Sequence, residues 1–201
     1  MRTSSLGMAL AGACLTGAAG AGADGLLAYG FADAAALRTL SGSYASAAPE
    51  PWYGGYGTRE FTFGGGRWEL VFTHALDPGM EMKTFQFITE GPYAVGDPIA
   101  GIPGAFEGDF TEELKKVRLL MEDPEMIAAF GMAGCGLIAG EVVDISETGC
   151  ASWKPVAECG VDHDLFAMDA KGVYFGVRPA DNDMCTPDRR PTKLLMPVVR
   201  Q

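Results

Sequence analysis

The chain has 201 residues and a formal net charge of −11, with 28 glycines, 12 prolines and 48% hydrophobic residues. That length suits one domain with a sizeable core. The acidic balance repels nucleic acid phosphates and anionic headgroups, and glycine far above its usual share of roughly 7% disfavours long helices.

Residues 1–23 read as a targeting segment. Arg2 forms a short positive region, Leu6 to Ala19 is apolar or small, and Ala21-Gly22-Ala23 offers a small-x-small cleavage site before Asp24. The apolar run is shorter and richer in Gly and Ala than a spanning helix of roughly 20 residues, so no transmembrane segment is expected. The alternative is a lipoprotein anchored through Cys14, because LAGAC loosely resembles a lipobox, with Ala11 where a larger aliphatic is usual. Cleavage leaves residues 24–201 as one secreted or periplasmic domain, more acidic still because Arg2 is lost.

An Ala-rich segment from Ala28 to Leu40 suits one short helix, after which the chain breaks into short alternating runs. In REFTFGGGRWELVFT, Phe61 and Phe63 precede Gly64-Gly65-Gly66, and Trp68, Leu70 and Phe72 follow it. Period-two alternation on both sides of a glycine turn predicts a hairpin. TFQFITEGPYAVG repeats the pattern, with Phe85 and Phe87 before Gly91-Pro92 and Tyr93 and Val95 after it, so a turn is expected there too. KKVRLLM and GEVVDIS suit further strands, and DPEMIAAFGM a helix with Asp123 as N-cap and Pro124 in its first turn. DLFAMDAKGVYFGVR predicts a last hairpin, turning through Asp169 to Gly172. The fold class is therefore all-β with one or two short helices, an antiparallel meander curled into a barrel or half-barrel, lipocalin-like in outline.

Beyond the leader the cysteines are Cys135, Cys150, Cys159 and Cys185. An even number in an exported chain predicts two disulfides, and three pairings are possible. Facing residues of a hairpin have a nearly constant sum of positions. Cys159 and Cys185 nearly match the sum that Met168 or Ala170 makes with Val173, so they lie just beyond the same hairpin and within disulfide reach. Cys135 and Cys150 form the remaining pair. No CxxC or HxxxH spacing marks a zinc site.

In RPADNDMCTPDRRPT, Asp181-Asn182-Asp183 reads as a solvated Asx turn, because a calcium loop with a distal glutamate is missing. The whole stretch reads as a structural link from the last hairpin to a final strand. Glu112 and Glu113, ahead of two lysines, read as solvated charge. His74 ends the Trp68 strand, and His163 stands between two acids in VDHDL. Without a Gly-x-Ser-x-Gly elbow or a credible nucleophile, a hydrolase using His163 is the weakest reading. No metal or cofactor is expected.

The aromatics carry the functional hint. Phe61, Phe63, Trp68, Leu70, Phe72, Phe85, Phe87, Tyr93 and Val95 should share one sheet face. A curled sheet of this size can enclose more apolar wall than it fills, and so hold a hydrophobic ligand. Trp52, Tyr53 and Tyr56 lie among glycines and prolines in PEPWYGGYG, a segment too flexible for a core strand and suited to a cavity mouth or a partner surface.

Several fragments in order resemble one family. Gly42 to Ser46, Trp68 followed by Asp77-Pro78, Pro103-Gly104-Ala105 with Glu107, Cys135-Gly136 with Gly149-Cys150, and Arg178-Pro179 with Arg190-Pro191-Thr192 resemble the adenomatosis polyposis coli down-regulated domain from about Leu37 to Arg200. The family's cysteines after the opening strand and after the Asp-Pro are missing here, where Gly79 follows Pro78, and Cys159 and Cys185 are additional. The resemblance implies a barrel-like, extracytoplasmic domain with an apolar cavity, and the short leader with a single domain points to a bacterial member. It places an acid at Glu107, expected to bond backbone N–H groups. The lipidated signalling partner of the animal relatives is not carried over. The expected function is binding of a lipid or acyl chain in a barrel cavity. The alternative is a protein-interaction module with a filled core, docking through Trp52–Tyr56.

Overall fold

Gly65 and Gly66, at φ 59° and 75°, make the tight turn that joins the first two long strands. Positive φ at both central residues is the I′ geometry whose twist matches a hairpin, and glycine adopts it without a Cβ clash. The computed structural model describes residues 30–201. The leader expected at residues 1–23, with Cys14, and the start of the Ala28–Leu40 segment lie outside the described residues.

A short helix, α1 (Ala34–Arg38), is capped by Asp33 and followed by β1 (Gly42–Ser46) and β2 (Glu50–Trp52). The long strands β3 (Gly55–Gly64) and β4 (Arg67–Ala75) pair from Tyr56↔Ala75 to Gly64↔Arg67. PEPWYGGYG, expected to be flexible, is instead a second tight hairpin. Tyr53 and Gly54 carry positive φ of 49° and 79°, and Trp52 pairs with Gly55.

The turn expected at Gly91-Pro92 is not there. Strand β5 (Lys83–Pro98) runs straight through it. One edge of β5 pairs with β4, while the other changes partner: β7 (Leu114–Leu119) along Phe85–Glu90, then β6 (Phe106–Thr111) along Tyr93–Pro98. Gly91 and Pro92 fill the gap. A Cβ at Gly91 would run into the Thr111 carbonyl, and proline's missing N–H falls where β5 has no partner on that edge.

After helix α2 (Pro124–Ala129) and β8 (Val142–Asp144), the chain forms β9 (Val161–Asp169), β10 (Gly172–Phe175) and β11 (Val198–Arg200). Asp123 caps α2 as expected, accepting from the Glu125 N–H at 2.9 Å. Strands β9 and β10 pair Met168 with Val173 around the expected turn. The circuit β1–β3–β4–β5–β6–β9–β10–β11 returns to β1 and closes an eight-stranded antiparallel barrel.

Strands β3, β4 and β5 outrun the barrel and, with β2, β7 and β8, spread into a wing. The expected shared face is thus divided between two cores. Phe61, Phe63, Trp68 and Val95 join Phe110, Phe166 and Phe175 inside the barrel, closed at one end by Leu37 of α1. Phe72, Phe85 and Phe87 join Val117, Ile145 and Trp153 on the wing, and Leu70 touches both. Both expected disulfides form: Cys135–Cys150 under the wing, and Cys159–Cys185 beyond the β9–β10 hairpin, with Cα–Cα distances of 5.4 and 5.1 Å. No helix among the described residues is long and apolar enough to cross a membrane.

Candidate ligand-binding cavity

Where the two cores meet, their side chains leave a cavity of about 60 Å³. Its apolar wall comes from strand positions that alternate inward: Phe61 on β3, Trp68, Leu70 and Phe72 on β4, Phe87 on β5, Phe110 on β6 and Phe175 on β10. Trp153 completes the wing side, stacked on Phe87 at 4.7 Å between ring centres. Trp52 and Tyr53 stand at the mouth. Outside lies a groove of about 420 Å³, and cavity and groove share Trp52, Tyr53, Arg178 and Leu195. The inner space alone admits only a few water-sized groups, whereas the groove has the size of a small-molecule site.

A charged cluster of the cavity wall reaches this mouth. Arg178 Nη1 pairs with Asp162 Oδ2 at 2.7 Å, and Arg178 Nε donates to Asn182 Oδ1 at 2.6 Å. Burial works against the Arg178 charge, but Asp162 outweighs it and the guanidinium stays firmly protonated. Tyr53 Oη donates to the same Asn182 oxygen at 2.9 Å. Burial pushes that hydroxyl above its usual range, with Arg178 pulling against it.

Asp164 is fully buried, and burial raises its pKa to about 6 although Oδ1 accepts from the Leu165 and Gly176 N–H groups at 2.6 and 2.7 Å. Glu112 pairs with Lys115 at 2.8 Å, and Lys115 also donates to the Lys154 and Cys159 carbonyls. Burial, reinforced by Asp162, lifts Glu112 to about 7 against the pull of Lys115. The reading of Glu112 as solvated charge is therefore corrected. Only Glu113 is exposed, paired with Arg67.

Of the candidate ligand residues, Trp52, Tyr53, Phe61, Trp68, Leu70, Phe72 and Phe87 line the cavity together. Phe63, Phe85 and Tyr93 lie elsewhere. Phe63 packs on Tyr44 and Phe166, Phe85 stacks on His74, and Tyr93 donates to the Leu37 carbonyl under α1. His74 is fully buried between Thr84 Oγ1 at 2.7 Å and the Trp52 carbonyl at 3.1 Å, and burial lowers its pKa.

His163 turns to the other face of β9. Its Nδ1 meets Asp109 Oδ1 at 2.8 Å, and Arg190 donates to the same oxygen. Burial opposes the Asp109 charge, but Arg190 and His163 hold its pKa below the usual value. No hydroxyl or thiol among the described residues hydrogen-bonds His163. Glu107 lies over Gly96, without the expected backbone bonds among the described residues.

The stretch read as pure structure also supplies the site, since Arg178 and Asn182 line the cavity. Its flanking acids are tied down, Asp181 by Arg189 and Asp183 by Lys154.

Arg59, Asp162 and Asp164 also line the cavity, a place not expected for any of them. Strand parity would have found them: Arg59 alternates with Phe61, and the two aspartates flank His163 and so face away from it. Arg59 is only 4% exposed. Its Nη2 donates to Glu50 Oε1 and to the Met196 carbonyl, both at 2.8 Å. Its Nε and Nη1 have no acceptor among the described residues.

The fold and the site define a class: a closed antiparallel barrel with an aromatic cavity, a charged cluster and a groove at its mouth. No protein-family model matches the chain, and no curated protein matches it either.

Proposed function

We propose that the protein is a binding domain for a hydrophobic small molecule, a lipid or an acyl chain, taken into the aromatic cavity from the groove. The observation that carries this reading is the shared wall of Trp52, Tyr53, Arg178 and Leu195, which joins surface groove to inner cavity. Aromatic walls with a few convergent polar groups suit such a ligand. The resemblance to the adenomatosis polyposis coli down-regulated domain belongs to the proposal and points the same way. So do export through the leader at residues 1–23 and a secreted or periplasmic site of action, in keeping with two disulfides. The reading is of a binder rather than an enzyme.

A second reading, a protein-interaction module docking through Trp52–Tyr56, draws on one specific observation. Phe61, Phe110, Phe166 and Phe175 fill most of the barrel with one another and leave only about 60 Å³. Native mass spectrometry of protein exported to a bacterial periplasm, with solvent extraction, separates the two. A co-purifying lipid that a still-folded Phe87→Arg variant loses is the expected result. Bare protein that takes up no member of a fatty-acid panel would leave the docking reading.

A further inference from the structure

Arg59 stands on the inward face of β3, two residues before Phe61 and opposite Phe72 in the β3–β4 register. A guanidinium carries five N–H groups. Nη2 is engaged by Glu50 and Met196, whereas Nε and Nη1, on a side chain 4% exposed that lines the cavity, have no acceptor among the described residues. Buried charged donors are among the costliest groups to leave unpaired, and such a group in a native fold asks for its acceptor.

We infer that Arg59 is the head-group receptor of this cavity, and that its ligand is an apolar molecule ending in a carboxylate. The inference rests on the binding reading above. The acceptor must be small, because the inner space is about 60 Å³. It must carry little charge, because Asp162, Asp164 and Glu112 line the same cavity and repel a dianion such as a phosphate monoester. A monoanionic carboxylate meets both conditions and gains charge-assisted hydrogen bonds from the guanidinium. Its apolar tail then follows Phe61, Phe72 and Trp52 toward the groove shared at Trp52 and Leu195.

The test is calorimetric titration of the lipid-stripped protein with dodecanoate, methyl dodecanoate and dodecanol. Dodecanoate is expected to bind at least roughly tenfold more tightly than the ester, the order set by bonds to a charged group. Arg59→Met should bring the ratio of acid to ester affinity down to about one, whatever it does to both. Acid and ester binding alike in the wild type would overturn the role of Arg59 while leaving the cavity as a binder. No binding of any of the three probes would overturn the binding reading itself, and this inference with it. Should Arg59→Met not fold, carbon-13 resonance of carboxyl-labelled dodecanoate on the wild type decides. A titration midpoint below that of the free acid is expected beside a cation, and a midpoint at or above it would overturn the assignment.

Discussion

Tyr53 donates its hydroxyl to Asn182 Oδ1 at 2.9 Å and so ties together two loops 129 positions apart across the cavity mouth. Both residues have left-handed backbones, at φ 49° and 58°, a conformation that costs a non-glycine residue something to hold. Asn182 also takes the Arg178 Nε–H, so one amide oxygen joins the β2–β3 hairpin to the charged cluster. Such a bond is a natural latch between groove and cavity.

Tyr53→Phe removes that latch and keeps the ring. A net loss of about 1 kcal/mol corresponds to roughly a fivefold change in the closed-to-open ratio. Amide exchange across Trp52–Gly55 is expected to quicken by about that factor, with exchange on β9 unchanged. Unchanged exchange in the hairpin would show that other contacts hold the mouth.

Asp164 gives a pH dependence of definite sign. Its carboxyl titrates at about 6 in the fold against an ordinary 3.8, so the folded state binds more protons between those values. Its contribution to stability is complete below the unfolded pKa and is lost as pH rises through the folded one. Asp164→Asn mimics the protonated acid and should be more stable than wild type above about pH 7, by roughly 3 kcal/mol, with the gain vanishing near pH 4. Urea unfolding of both proteins at the two pH values measures it. A gain of equal size at both would contradict the assignment.

The disulfides should act on different parts of the molecule. Replacing either pair by serine is expected to lower stability by about 3 kcal/mol from loop closure. Loss of Cys135–Cys150 frees the segment that lays Trp153 on Phe87, and loss of Cys159–Cys185 frees the chain beside Asp183 and Asn182. The first should therefore change tryptophan fluorescence more than the second, and the second should change exchange at Asn182 more than the first.

Gly91 marks the branch point of the sheet. Gly91→Ala drives a methyl group into the Thr111 carbonyl and is expected to cost about 1–3 kcal/mol. Gly134→Ala, where a Cβ meets nothing within 4 Å and φ is not positive, is expected to be nearly neutral. Thermal melting compares the two, and equal Tm values would contradict the role given to Gly91.

Local signals carried much of this architecture. The glycine turn at 65–66, the Asp123 cap and the pairing of Cys159 with Cys185 were legible because each depends on residues close in sequence or symmetric about one turn. Gly91-Pro92 misled because turn chemistry and strand branching use the same residues, and only the β6 and β7 registers distinguish them. The aromatic wall was legible as a face, but not as two cores, since the division depends on where β5 changes partner. Glu112 was missed because its burial depends on Lys115 across the β6–β7 turn and on the Cys159 carbonyl, from the chain before β9, that holds Lys115 in place.

All three tryptophans, Trp52, Trp68 and Trp153, line the cavity, so their fluorescence reports directly on what enters it. The decisive measurement is titration of the lipid-stripped protein with a dibrominated fatty acid, a contact quencher. The expected result is saturable quenching at one ligand per protein, reversed by the unbrominated acid and lost in a folded Phe87→Arg variant. Emission that falls only in proportion to added quencher, unaffected by the competitor, would contradict a ligand in the cavity.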